Sequence, residues 1–129
     1  MKIGHSYLRW SSSEQTKGDS LRRQIEARDR ICQHRAITLV ESYTDPGVSA
    51  HRGKHRTKGN LARLLKDIGT TIKSGEYLLI ENIDRLSREN PRKAWKHFNE
   101  IIDIGITIIT TYNDREYSAK TIDKRRRPS

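Results

Sequence analysis

The sequence predicts an α/β protein. The expected architecture is three layers, with a mostly parallel central sheet of four to five strands and helices on both faces. Three observations carry this reading. Short apolar stretches that read as strands alternate with longer stretches whose apolar residues recur at helical spacing. The intervening helices, about 10–15 residues each, are long enough to carry the chain back across a sheet, so that successive strands run parallel. The chain has 129 residues, which is room for a single core.

Each element has its own signal. Residues 2–10 read as a first strand ending in Leu8 and Trp10. Asp19 or Ser20 can cap a helix over about residues 20–35, with Leu21, Ile25 and Ile31 or Cys32 along one side. Ile37, Leu39, Val40 and Tyr43 mark a second strand over 37–43, followed by a loop rich in turn formers and bases over 44–58. Leu61, Leu64, Leu65, Ile68 and Ile72 then recur at helical spacing. Gly75 interrupts, and Tyr77–Ile80 is a short continuous apolar strand. Asn90 and Pro91 form an N-cap and first-turn pair, opening a helix with Ala94, Trp95, Phe98, Ile101 and Ile102 inward. Gly105 stops that helix, and 106–111 form a fourth strand. Residues 1–117 are thus one domain. Residues 118–129 form a basic polar tail ending Lys124-Arg125-Arg126-Arg127.

Composition narrows the function. Lys and Arg number 26 against 16 Asp and Glu, a net charge of +10. Such a surface suits a polyanion, because cationic side chains gain affinity for nucleic acid by releasing condensed counterions. The longest apolar run, Tyr77–Ile80, is far short of the ~20 residues of a membrane-spanning helix. No export signal opens the chain, and the expected location is the cytoplasm. One cysteine, Cys32, excludes an internal disulfide and a cysteine-based zinc site. The five histidines show no ligand spacing beyond His51/His55, so a metal is not expected.

Chemistry is expected where the loops leave the carboxyl ends of parallel strands. The first such loop holds Ser11 through Gln15, the second Asp45 through Lys58, the third Asp84 through Arg88. Side chains alternate across a strand, so Tyr7, Arg9 and Ser11 share one side of the first strand. An arginine and a serine there are costly unless paired; a neighbouring acid satisfying Arg9 is the plain alternative. Arg85 and Arg88 are three residues apart and would share a face on a helical turn. Two guanidinium forks beside Asp84 suit a phosphate, although an exposed ion-pair cluster has the same composition. Arg52, Lys54, Arg56 and Lys58 concentrate positive charge with no intervening acid. This fits a flexible arm on a nucleic-acid backbone, or a solvated loop without a partner.

Together these segments resemble a family. Tyr7-Leu8-Arg9-Trp10-Ser11 is similar to the Tyr-x-Arg-x-Ser signature of the serine site-specific recombinases, the resolvase/invertase family and its large integrase relatives. Gln15 and Ser20-Leu21-x-x-Gln24 resemble the segment that follows. Asp45-x-Gly47-x-Ser49-Ala50 is similar to the family's loop after strand two, and Asp84-Arg85-Leu86-Ser87-Arg88 to its Asp-Arg-Leu-(Ser/Gly)-Arg signature. The likeness runs from about residue 5 to 112, in order.

The resemblance implies a resolvase catalytic-domain fold of flavodoxin-like topology. It also implies recombination of double-stranded DNA, as in the integration or movement of mobile elements. Ser11 would be the nucleophile that forms a 5′-phosphoserine linkage. Arg9, Arg85 and Arg88 would stabilise charge on the phosphoryl oxygens, Asp84 would orient the arginines, and Tyr7, Gln15, Gln24 and Asp45 would support them. No nucleotide or metal is required. Dimers and a synaptic tetramer are implied, with a long helix beginning near residue 115, and the isolated domain is expected to be weak or inactive. No histidine lies in a motif, so a general base is not identified. Trp10 is bulkier than the family's usual residue, and Lys58, Arg56 or Arg52 stands where the family places a loop arginine. The other reading is a non-catalytic DNA-binding or regulatory module on the same scaffold.

Overall fold

The computed structural model describes residues 1–10, 17–46, 59–88 and 90–121. Its elements are β1 (Lys2–Trp10), α1 (Lys17–Arg35), β2 (Ile37–Pro46), α2 (Asn60–Asp67), β3 (Tyr77–Ile80), a 3-10 turn (Ile83–Leu86), α3 (Pro91–Ile104), β4 (Thr107–Thr110) and β5 (Arg115–Tyr117). They build one five-stranded sheet in the order β2-β1-β3-β4-β5. The first four strands are parallel, and β5 runs antiparallel to β4. The expected three-layer α/β architecture is therefore present.

The strand order determines where a ligand can sit. From β1 the chain moves outward to β2, then crosses to β3 on the other side of β1. Adjacent parallel strands whose connections leave in opposite directions open a crevice at their carboxyl ends. Here that point lies between β1 and β3. Trp10, which immediately precedes Ser11, and Ile80, which leads into Asp84–Arg88, end these neighbouring strands.

Two apolar layers hold the sheet. Tyr7, Tyr43, Leu78, Ile80 and Ile108 pack with Leu61 and Leu64 of α2 and with Phe98, Ile101 and Ile102 of α3. On the other face Ile37, Leu79 and Ile109 meet Ile31 and Cys32 of α1. A fully buried Leu or Ile contributes about 1.5–3 kcal/mol, and Leu64, Leu78, Ile72 and Ile106 are all fully buried. The α1 layer is smaller because β1 presents Ser6 there. Ser6 is satisfied by Ser42 at 3.1 Å and by Arg28 Nη1 at 3.3 Å.

α3 forms as its local chemistry dictates. Asn90 Oδ1 accepts from Lys93 N at 2.9 Å, Pro91 occupies the first turn, and Gly105 ends the helix at φ 110°. A left-handed C-cap of this kind favours glycine.

Four expectations change in detail. α1 begins at Lys17, so Asp19 and Ser20 lie inside its first turn rather than capping it. The Ser20 hydroxyl instead accepts from Gln24 Nε2 and Arg23 Nη2, at 3.3 and 3.5 Å. β2 extends to Pro46 because β1 continues beside it, pairing Arg9 with Asp45 and Trp10 with Pro46. Asp45 is therefore a strand residue, not the start of a loop. The helical spacing that runs on to Ile72 is not followed beyond Asp67. Gly69 adopts φ 91° and donates to Ile72 O at 2.7 Å, a tight turn that still buries Ile72. Trp95 is half exposed, at 50 %. The buried stripe of α3 is Ala94, Phe98, Ile101 and Ile102, and Trp95 lies at its margin, its ring edge-on to Phe98 at 5.2 Å.

Candidate active site

The site is built from three strand ends. At the end of β2, Asp45 is 6 % exposed and both its oxygens are used. Oδ1 accepts from Asn60 N at 2.8 Å. Oδ2 accepts from Leu61 N at 2.9 Å and from the Tyr7 hydroxyl at 2.8 Å. A carboxylate at the first amides of α2 satisfies orphan donors and suits the positive end of the helix dipole. Asp45 thus ties β1, β2 and α2 together. Burial, and then the bond to Asp45, pushes the Tyr7 hydroxyl far above the ordinary tyrosine range, although the charges of Arg9 and Arg88 pull the other way. Tyr7 is accordingly a protonated donor at neutral pH.

Arg9 sits two residues further along β1, on the same side as Tyr7. Its Nη2 approaches Ser87 O at 3.4 Å, joining the end of β1 to the segment after β3. Its Nη1 is buried and, among the described residues, has no hydrogen-bond partner. The acidic neighbour that would have given Arg9 a plain structural role makes no ion pair with it among the described residues. Gln24, 2 % exposed, donates from Nε2 to the Arg9 carbonyl at 3.0 Å. It fixes the strand end from α1 and acts on the site through Arg9.

The third group follows β3. Asn82 Oδ1 accepts from Ile83 N at 2.7 Å and starts the 3-10 turn, which carries Arg85 but ends at Leu86; Ser87 is extended. Arg85 and Arg88 therefore do not share a helical face, because the turn stops between them. Arg85 Nη2 binds Glu81 Oε1 at 2.7 Å, and its buried Nε is unpartnered among the described residues. Arg88 is exposed and reaches toward α2: its Nη1 lies 3.5 Å, and Asp45 Oδ2 3.3 Å, from where a Cβ on Gly59 would stand. A side chain at Gly59 would press slightly on the carboxylate and touch the guanidinium. Asp84 is exposed, 4.0 Å from Arg85 Nε, so Glu81 is the nearer carboxylate. Sequence reasoning passed over Glu81 because it lies outside both signatures; its position directly after a buried strand was the available signal.

A groove of about 220 Å³ continues from Gly59 and Arg88 between α2 and α3, lined also by Lys93 and His97. Ser11, Gln15, Arg52, Lys54, Arg56 and Lys58 lie outside the described residues. No cluster of His, Cys, Asp or Glu that could hold a metal ion occurs among the described residues. None of the described helices is long and apolar enough to cross a membrane.

The structure brings Arg9, Tyr7, Asp45 and Arg88 to one sheet edge, with Arg85 on the adjoining turn. Residues 5–127 match the family model described as the resolvase N-terminal domain. The chain is 33 % identical over 127 residues to uncharacterized protein YbcK of Escherichia coli K12; the match covers 96 % of this chain and 25 % of that protein. It is similar in structure to a resolvase family site-specific recombinase from Streptococcus pneumoniae, with a TM-score of 0.70, 21 % identity, and 96 % and 83 % of the two chains covered. The N-terminal catalytic domain of TP901-1 integrase superposes with a TM-score of 0.68 at 22 % identity, over 95 % and 88 % of the chains. The C-terminal catalytic domain of ISC1926 TnpA, an IS607-like serine recombinase, gives 0.57 at 26 % identity, over 84 % and 68 %. The matched domain places this chain in the resolvase family, over that family's N-terminal domain, and its fold is that of serine recombinase catalytic domains.

Proposed function

We propose that the chain breaks and rejoins double-stranded DNA with Ser11 as nucleophile. The Ser11 oxygen forms a bond to phosphorus while the bond to the 3′ oxygen breaks. This leaves a 5′-phosphoserine linkage and a free 3′-hydroxyl that takes up the proton. Reverse attack by a 3′-hydroxyl after strand exchange reseals the duplex. The ester bond is conserved in the covalent intermediate, so no nucleotide is consumed.

The carrying observation is that two buried guanidinium nitrogens, Arg9 Nη1 and Arg85 Nε, have no hydrogen-bond partner among the described residues. Buried polar groups are nearly always satisfied. Two left open beside the strand end that precedes Ser11 fit donors reserved for phosphoryl oxygens, whose developing charge such groups stabilise. Arg88 adds exposed charge near α2. Tyr7, Gln24 and Asp45 hold the strand ends in place. Gln15 follows Ser11 by four positions in the sequence, and Asp84 lies beside Arg85. Arg52, Lys54, Arg56 and Lys58 supply non-specific affinity for the DNA backbone, and such a substrate lies with the nucleoid in the cytoplasm. Residues 1–117 act as the catalytic unit. Ser118 and Thr121 bond reciprocally through their hydroxyls and amides, and the chain works as part of a dimer and a synaptic tetramer.

The test is covalent trapping. The chain is tethered to a DNA-binding module of known specificity, which raises its local concentration on a duplex with a randomised spacer. Denaturing gels should show a protein–DNA adduct with wild type and none with Ser11→Ala. Duplex binding without any adduct would instead favour a non-catalytic DNA-binding module.

A further inference from the structure

Glu81 lies in neither signature, yet it joins the two arginine-bearing segments. Its side chain is 12 % exposed. Oε1 accepts from Arg85 Nη2 at 2.7 Å and Oε2 from Arg23 Nη1 at 2.8 Å. Arg23 Nη2 reaches Ser20 Oγ at 3.5 Å, Gln24 Nε2 reaches the same oxygen at 3.3 Å, and Gln24 Nε2 holds the Arg9 carbonyl at 3.0 Å. A continuous polar chain thus runs from the end of β1, through α1, to Arg85.

The charges matter as much as the bonds. A carboxylate gripping Arg85 alone would cancel the charge the arginine needs for a phosphate. With Arg23 on the second oxygen, the three groups together keep one net positive charge. Burial raises the Glu81 carboxyl, but the hydrogen bonds and charges of Arg23 and Arg85 outweigh it and hold the group below the usual carboxylate range. Glu81 is therefore ionised at neutral pH and can fix the guanidinium plane while Arg85 remains cationic. Arg85 Nε, which has no hydrogen bond among the described residues and lies 4.0 Å from Asp84, is in that fixed plane.

We infer that Glu81 is the positioning residue for Arg85 and that Arg23 is its counter-cation. The inference rests on the DNA-breaking reading above. It predicts that Glu81 acts on the chemical step through Arg85 and not on DNA affinity.

The test is a double-mutant cycle in the tethered cleavage assay under single-turnover conditions, with Kd and Tm recorded for each variant. Glu81→Gln should slow adduct formation about 10–100-fold, the scale of a misoriented catalytic group, with Kd changed less than about twofold. Glu81→Gln/Arg85→Ala should be no slower than Arg85→Ala. Wild-type rates in Glu81→Gln, or losses that multiply in the double variant, would overturn the inference. Should Glu81→Gln not fold, Arg23→Gln at the 63 % exposed partner must still slow cleavage, and an unchanged rate is equally fatal. The NMR signal of Arg85 Nε–H in the untethered chain separates the two ideas. If wild type forms no adduct, the DNA-breaking reading fails; if that signal is also unmoved by Glu81→Gln, the positioning contact fails independently.

Discussion

Replacing Asp45 with alanine removes three hydrogen bonds from one buried carboxylate. Two belong to the first amides of α2, and losing a helix cap of this kind costs about 1 kcal/mol. The third belongs to the Tyr7 hydroxyl. Tyr7 is completely buried, so its hydroxyl would be stranded without water, at about 1–3 kcal/mol. The expected loss for Asp45→Ala is therefore about 2–4 kcal/mol, a large share of the roughly 5–15 kcal/mol that holds a domain of this kind together. With a urea m-value of about 2 kcal/mol/M, the unfolding midpoint should fall by roughly 1–2 M. The same substitution in a Tyr7→Phe background has no hydroxyl to strand, and should cost only the cap. Urea unfolding of the four proteins of the cycle measures both numbers. An equal cost in the two backgrounds, or a loss well under 1 kcal/mol, would refute the claim that Asp45 links β1 to α2.

Two further outcomes follow from buried groups and backbone geometry. Burial, and then the bond from its hydroxyl to Asp67 Oδ2 at 2.7 Å, pushes Tyr43 up to about 12, above the ordinary tyrosine value near 10. A folded value above the unfolded one favours the protonated protein. The contribution is complete below pH ~10 and lost as pH rises toward 12. Wild type should lose more stability than Tyr43→Phe across this window, and identical alkaline limbs in pH-dependent urea melts would contradict it. Gly105→Ala forces a side chain into φ 110° and toward Ser74. It should lower stability by at least about 1 kcal/mol, part of which Gly105→Ala/Ser74→Ala recovers in thermal melts.

How much was legible depended on the range of the interactions. Tyr77–Ile80 was readable as a strand because a short apolar run between turn signals has few other uses. α3 was readable because Asn90, Pro91 and Gly105 act within a turn of themselves. The motifs pointed to a candidate site at the carboxyl ends of β1 and β3, since a parallel sheet collects its loops there. Glu81 carried only a weak signal, its place directly after a buried strand, because its role depends on Arg23, which arrives from α1.

The amino-acid order by itself determined the alternation of strand and helix, the net charge of +10 and the spacing of Tyr7, Arg9, Asp84, Arg85 and Arg88, because composition and neighbouring residues set these. The tertiary structure alone decided that β2 runs on to include Asp45, that α2 stops at Asp67, that β5 closes the sheet antiparallel, and which donors of Arg9 and Arg85 have no hydrogen bond among the described residues. These outcomes depend on partners tens of residues away. A ladder lengthens only when its neighbour is present, and a buried hydrogen bond is missed only once the rest of the fold has enclosed it.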